Sequence, residues 1–303
     1  MTGRQRQVGD APGAAPRAEA RDAAGAVETW IGATEATFDD LAVASAMAAA
    51  ATLDDGEIRT ERGSPLPPLW QWFYFLPRAL QAKLSPDGHP ERGGFMPPIA
   101  LPRRMFAGAR MRFHRPLRLG HPAQRHGVVR NIAQKDGRSG PLAFVTIGYD
   151  YLQDGALCIE EEQDIVFRDF GAPAPAPTPA PLPRLPEHSW SKMVMPTPTL
   201  LFRFSALTFN AHRIHYDRPY AAGVEGYPGL VVHGPLIAVL LMELVRRRAS
   251  GFVRAFEFRG HAPLFDLAPF RVAAIPAPDG HVQMQAHGPA GETAMTATAV
   301  LSQ

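Results

Sequence analysis

One segment restricts the fold of this chain more than any other. From Leu236 to Val245 it reads Leu-Ile-Ala-Val-Leu-Leu-Met-Glu-Leu-Val, with Glu243 as the lone charge. Pro235 precedes the run, and Arg246, Arg247, Arg248 and Ser250-Gly251 follow it. Proline suits the first helical position, cations suit the last turn, and glycine follows a helix end, so these are matched start and stop signals. A helix that is apolar on every face cannot lie on a surface; it has to be surrounded. The chain holds no uncharged apolar run of about 18 residues, so the surroundings must be protein and not lipid.

Strands can supply them. Val253–Gly260, Phe270–Ile275, His281–His287 and Thr293–Leu301 read as strands, with a hairpin turn at Asp279-Gly280. Val282, Met284 and Ala286 alternate with Gln283, Gln285 and His287, a period of two that leaves one sheet face wet. The first half repeats the order. Thr37-Phe-Asp-Asp reads as a capping signal for an alanine-rich helix over 38–51. Leu69–Leu76, after Pro67-Pro68, reads as a buried helix apolar almost all round. Strand-like runs follow at Ala109–Leu119, Gly127–Ala133, Leu142–Tyr151 and Ala156–Phe167, with turns at Asp136-Gly137 and Asp154-Gly155. An apolar helix followed by an antiparallel meander, twice over, is an α+β layout of the double hotdog kind, in which curved sheets wrap long apolar helices.

Seven of the 31 prolines fall between Gly171 and Glu187, where they alternate with alanine. Such a stretch can feed neither a helix nor a ladder and reads as an extended spacer between 28–170 and 188–303. Residues 1–27 carry almost no large apolar side chain and read as a disordered tail. The tail has no apolar leader segment, which gives a cytoplasmic expectation.

Charge and cysteine content exclude several classes. The 31 basic residues nearly balance 29 acidic ones, and all but Lys83, Lys135 and Lys192 are arginines. They are scattered, with no basic tract of the kind that binds nucleic acid. The single cysteine, Cys158, excludes an intramolecular disulfide and reads as a small buried hydrophobe.

The chemistry concentrates in Arg203–Tyr220 and Glu225–Pro235. Asn210, His212, Arg213, His215, Tyr216 and Asp217 crowd into eight positions, and His233-Gly234 stands at the mouth of the apolar helix. Histidine titrates near neutral pH and suits proton transfer. A helix amino terminus offers unpaired N–H groups, and Gly234 lets an oxyanion come close to one. No nucleophile is paired with these histidines in the sequence; Ser205 lacks a tight elbow. His212 and His215 could share a turn as metal ligands with His233 or Asp217, but a lone His-x-x-His is a weak signal and no metal is expected.

At these residues the chain resembles a known family. Phe209-Asn-Ala-His-Arg-Ile-His-Tyr-Asp, with Gly226-Tyr-Pro-Gly-Leu-Val-Val-His-Gly-Pro after it, is similar to the MaoC-like double-hotdog hydratases. More narrowly it resembles the branch that holds mesaconyl-C4-CoA (3-methylfumaryl-CoA) hydratases and type 2 hydroxyacyl-thioester dehydratases. Phe258-Arg259 and Pro263-Leu-Phe265 extend the likeness, while 28–170 resembles the degenerate amino-terminal hotdog of such proteins. The resemblance implies reversible addition of water to an α,β-unsaturated acyl thioester, carried by CoA or an acyl carrier, without a cofactor. It places His215 as catalytic base, Asn210 where the wider family has an aspartate, and the Gly234 N–H on the thioester oxygen. His212, Tyr216, His233 and Arg213 would line the substrate. Arg213 has two readings, a partner for a substrate carboxylate or an ion pair with Asp217. No nucleic-acid or membrane partner is implied, and the chain would be a monomer or homodimer. The rival readings are a fatty-acid type dehydratase, a thioesterase, a metal-dependent hydrolase and a silent acyl-thioester-binding subunit.

Overall fold

The computed structural model describes residues 27–137 and 140–302. The tail expected over 1–27 therefore lies outside the described residues except for its last. Ten strands form one antiparallel sheet: β1 (Thr34–Asp39), β2 (Arg103–Phe113), β3 (Ala123–Gly137), β4 (Gly140–Gln153), β5 (Ala156–Arg168), β6 (Trp190–Val194), β7 (Val253–Gly260), β8 (Phe270–Pro276), β9 (His281–His287) and β10 (Thr293–Leu301). Their spatial order is β1-β3-β4-β5-β2-β7-β10-β9-β8-β6. The two meanders are thus joined edge to edge, with β2 against β7 from Gly108↔Arg259 to Arg112↔Ala255. Strand pairing inside the chain covers what would otherwise be two open edges. Asp154 and Gly155 both adopt positive φ, the conformation that a two-residue hairpin needs.

Among the described residues four α-helices complete the fold: α1 (Val43–Thr52), α2 (Pro198–Leu207), α3 (Arg218–Gly223) and α4 (Gly234–Arg248). Helix α4 is the expected apolar helix, and nine of its residues are buried, Leu236 through Glu243 and Val245. The sheet wraps it through β2, β6, β8, β9 and β10. Its buried carboxylate is satisfied: Glu243 accepts from the Trp70 indole N–H at 3.2 Å and from the guanidinium groups of Arg246 and Arg247. Arg246 also pairs with Asp55, so the arginine run ties the end of α4 to the loop after α1 and is not simply solvated.

Two expectations for the first half change. Thr37 caps no helix; it lies in β1, which pairs with β3, and α1 starts only at Val43. The Asp39 side chain instead accepts from the backbone N–H groups of Leu41 and Phe75. Leu69–Leu76 forms only a 3-10 turn, Trp70–Phe73. Prolines at 67, 68 and 77 bracket the segment, and Leu69 and Phe75 both take positive φ, which breaks helical continuity. Trp70, Phe73, Tyr74 and Phe75 are buried as expected and Trp72 is half-buried, but as a plug: Phe73 meets Phe204 edge-on and Trp72 meets Phe106 and Phe258. In the second half, β6 is a strand that the sequence did not announce. Residues 171–187 carry neither helix nor strand and touch the second half where Ala174 N–H donates to Gly226 and Ala180 N–H to Pro289.

Candidate active site

Two short segments and one helix end build the site. Helix α2 starts on Thr197, whose side chain accepts from the Leu200 N–H, with Pro198 in the first turn. It ends near Phe209, and the chain returns through a second 3-10 turn, Arg213–His215. Ile214 anchors that turn in a small apolar cluster with Tyr220, Ala221 and Val231. The Val231 N–H donates to the Ile214 carbonyl at 2.9 Å, which places the Leu230–Gly234 segment beside the turn.

His215 is buried, and its Nδ1 lies 2.7 Å from the Val231 carbonyl oxygen. A carbonyl can only accept, so Nδ1 carries the hydrogen and Nε2 keeps its lone pair. The ring stacks on that of His233, with centroids 3.6 Å apart and planes 18° from parallel. The His212 ring meets it edge-on at 5.4 Å. Burial, and then the neighbouring His233 and His212, hold the His215 pKa well below that of a free imidazole. An imidazole in this state is unprotonated at neutral pH.

His233 is buried and sits 2.8 Å from the Ser205 hydroxyl through Nε2, while its Nδ1 has no partner among the described residues. Burial pushes its pKa down to about 3. A bare buried lone pair costs less than a bare buried N–H, so Nε2–H donates to Ser205 and Nδ1 is unprotonated. Sequence reading left Ser205 unpaired; the structure pairs it, but with a histidine that no carboxylate orients. Gly234 opens α4 directly after His233, and as first residue its N–H has no carbonyl one turn earlier to bond. A Cβ at Gly234 would meet nothing closer than the Phe106 carbonyl at 3.6 Å. Packing therefore does not demand glycine there, and its absence of a side chain leaves the N–H approachable.

The other expected residues divide. Asn210 uses its side-chain carbonyl to accept the His212 N–H at 3.0 Å, a local turn that presents the loop. Arg213 spends Nε and Nη2 on Asp217, at 3.0 and 2.8 Å, and Nη1 on the Pro86 carbonyl. Of its two readings, the structure shows the ion pair. Tyr216 is exposed and donates outward to the Ala211 carbonyl. The structure thus brings together His212, His215, His233, Asn210 and Gly234, and leaves Arg213 and Tyr216 outside the cluster.

Sequence reading missed the contribution of the first half. Asp87 accepts from Nδ1 of His89 at 2.9 Å, and the His89 ring lies 4.1 Å from that of His212. His89 Nδ1 therefore donates as a neutral imidazole, with burial pushing its pKa down to about 3. Glu225, buried, stands 3.5 Å from His212 Nε2 and 3.2 Å from Arg103 Nε. Pro86-Asp-Gly-His was visible as a turn carrying an acid and a base, but nothing in the sequence said which partner it would meet. Asp87, His89 and His212 have donor atoms within 4.8 Å of one another and are the metal-like grouping found among the described residues. It contains neither His215 nor Asp217, so the spacing-based ligand set does not form.

Gly88 locks this loop down. Its φ is +92°, and a Cβ there would overlap the Ala211 carbonyl, while the Asp87 carbonyl accepts the Arg213 N–H at 2.9 Å. Gly88→Ala is expected to displace the His212–His215 turn and lower kcat about tenfold or more, since misplacement of about 1 Å is felt strongly. Steady-state kinetics beside a thermal melt check this; unchanged kcat would mean that the contact does not position the turn.

A curved antiparallel sheet around an apolar helix, with an unprotonated imidazole at the amino terminus of that helix, defines a double-hotdog enzyme of the hydratase–dehydratase class. The fold is shared with HtdX of Mycobacterium tuberculosis, at a TM-score of 0.65 and 16% identity over 89% of this chain and 100% of the other. A second Mycobacterium tuberculosis protein described as a double hotdog aligns at 0.56 and 15%, over 89% of this chain and 96% of the other. The chain belongs to the hydroxyacyl-thioester dehydratase type 2 family, whose model matches residues 69–266. It is 65% identical over 273 residues to the mesaconyl-C4-CoA hydratase of Chloroflexus aurantiacus, covering 90% of this chain and 96% of that one. Among the described residues no helix is long and apolar enough to cross a membrane.

Proposed function

We propose that the protein adds water reversibly to an α,β-unsaturated acyl-CoA thioester whose acyl group bears a second carboxylate, as mesaconyl does. The observation that carries the reading is the Val231 carbonyl on His215 Nδ1, which fixes Nε2 as a proton acceptor beside the start of α4. His215 takes a proton from water as the new C–O bond forms at the β-carbon. The π electrons move through the α-carbon to the thioester oxygen, where the Gly234 N–H and the helix terminus hold the developing charge. The imidazolium of His215 then returns the proton to the α-carbon and the C=O bond re-forms. The second lone pair of the Asn210 carbonyl is available to orient the water's other hydrogen. Water adds across the double bond with no net oxidation or reduction, so the step calls for no redox cofactor. The identity to a mesaconyl-C4-CoA hydratase supports the dicarboxylic choice.

Incubation with a panel of enoyl-CoAs, branched dicarboxylic ones included, tests this by mass spectrometry. A gain of one water on the dicarboxylic members, with no free CoA thiol, is expected. Release of thiol without that gain would indicate hydrolysis, with Ser205 and His233 as its first suspects, and would overturn the reading.

A further inference from the structure

With Arg213 engaged by Asp217, the cation that would read a second carboxylate has to be sought elsewhere. Arg104 is the second residue of β2 and shares its strand face with Phe106, two positions on. Phe106 packs on Trp72 and Phe258, and its carbonyl is the atom nearest to a side chain built at Gly234. The Arg104 guanidinium lies within electrostatic range of His89, Asp87, Tyr149 and Arg92. His89 in turn stacks on His212, beside the base. Arg104 therefore borders the catalytic cluster from the amino-terminal half.

Two polar groups here are unspent. Among the described residues the Arg104 side chain makes no hydrogen bond and no ion pair, unlike that of its neighbour Arg103, which is paired with Glu225. The Tyr149 hydroxyl, on β4, likewise has no hydrogen-bond partner among them, and burial keeps it protonated. Arg104 is only half-buried by area, yet its surroundings are dense enough for burial to lower its pKa. Accessible but closely surrounded describes a group that lines a concavity and not one on an open surface. A guanidinium with no direct partner in such a place is expensive to desolvate unless an anion docks on it. The anions and cations around it are accounted for. Asp87 is held by His89, Arg92 donates to the carbonyls of Leu101 and Pro102, and Arg125 pairs with Glu35.

We propose that Arg104, assisted by the Tyr149 hydroxyl, binds the second carboxylate of the acyl group and so sets the preference for dicarboxylic thioesters. Guanidinium donors suit a carboxylate in two-point contact, and a phenol adds a third donor. This rests on the hydratase reading above. A cavity of about 520 Å³ lined by Leu66, Phe113, Leu117, Val245 and Leu301 lies at the other end of α4 and takes no part.

The test compares binding and turnover of carboxylated and neutral thioesters by Arg104→Met, Arg104→Lys and Tyr149→Phe. Calorimetry with succinyl-CoA and butyryl-CoA should show a wild-type preference for the former. Arg104→Met is expected to reduce that preference by about 100-fold, and Tyr149→Phe by about tenfold. Arg104→Lys should recover part of the loss, because charge is kept without the fork. The ratio of kcat/KM for dicarboxylic over neutral enoyl-CoAs should move in parallel. Tyr149→Phe keeps the buried ring, so it reports on recognition even if Arg104→Met folds poorly. Equal losses on both ligands, an unchanged ratio, or no preference in the wild type would overturn the assignment. Failure of the wild type to hydrate any enoyl-CoA would instead remove the hydratase reading.

Discussion

His215→Ala lowers kcat by roughly 10²–10⁴, the range expected for loss of a general base. The geometry makes this side chain hard to replace. Its Nδ1 is held by Val231, one face is covered by His233, and His212 meets it edge-on. His215→Asn separates chemistry from packing, since the amide can still donate to the Val231 carbonyl but cannot accept a proton as a base. Both variants should lose rate alike while differing in thermal stability. A sharper check is the pH profile of kcat/KM. The active form is unprotonated, and burial with two imidazole neighbours lowers the pKa, so the acid limb should fall below about pH 6.5. A limb at or above that value, or rates within threefold of wild type in both variants, would mean that His215 is not the base.

How much of this was legible beforehand depends on whether the signal is local. Helix α4 was readable because a run without a polar face admits one solution, and Pro235 and Gly251 marked its ends. The strands from Val253 to Leu301 were readable because their period of two is written in the side chains. Trp70–Phe73 was not, because burial and helicity give the same apolar run, and only the flanking prolines argue for the 3-10 turn. β1 was misread for a related reason: a threonine two residues before paired aspartates looks like a cap until a partner strand is known.

The site divides along the same line. His215, His233 and Gly234 stand in one contiguous stretch, so their association was legible. Asp87, His89, Arg103 and Arg104 enter through β2 and the loop before it, more than a hundred residues away in sequence. No spacing rule reaches that far. The amino-terminal half is plain in its own motifs, yet it supplies the wall against which the His212–His215 turn is fixed. The second half alone would keep the Ile214 cluster under the turn, but it would lack the Asp87–Gly88 wall against it and the arginine proposed to meet a second carboxylate.

The burial that keeps His215 unprotonated should also make the fold sensitive to acid. His215 and His233 are buried and His89 half-buried, all as neutral imidazoles, with His89 and His233 held down to about 3 and His215 well below its free value. In the unfolded chain each titrates near 6.5. Between those limits the unfolded chain binds protons that the folded chain refuses, so stability is full above about pH 6.5 and falls as the pH drops. One fully offset histidine contributes about 1.4 kcal/mol per pH unit, and three together at most about 4. Asp87, which its bond from His89 holds below the usual carboxylate range, adds a loss of the same sign once the pH passes below about 4. Against a domain stability of about 5–15 kcal/mol, unfolding is expected within about one to four units below the pH of about 6.5 at which free histidine titrates. Urea titrations at a series of pH values measure the slope directly. His89→Gln should reduce it by about one proton, while the same substitution leaves the stacked His215–His233 pair to carry the rest. A stability that stays flat from neutral pH to about pH 5 would show that the folded protein accepts these protons, and the unprotonated state assigned to His215 would fall with it.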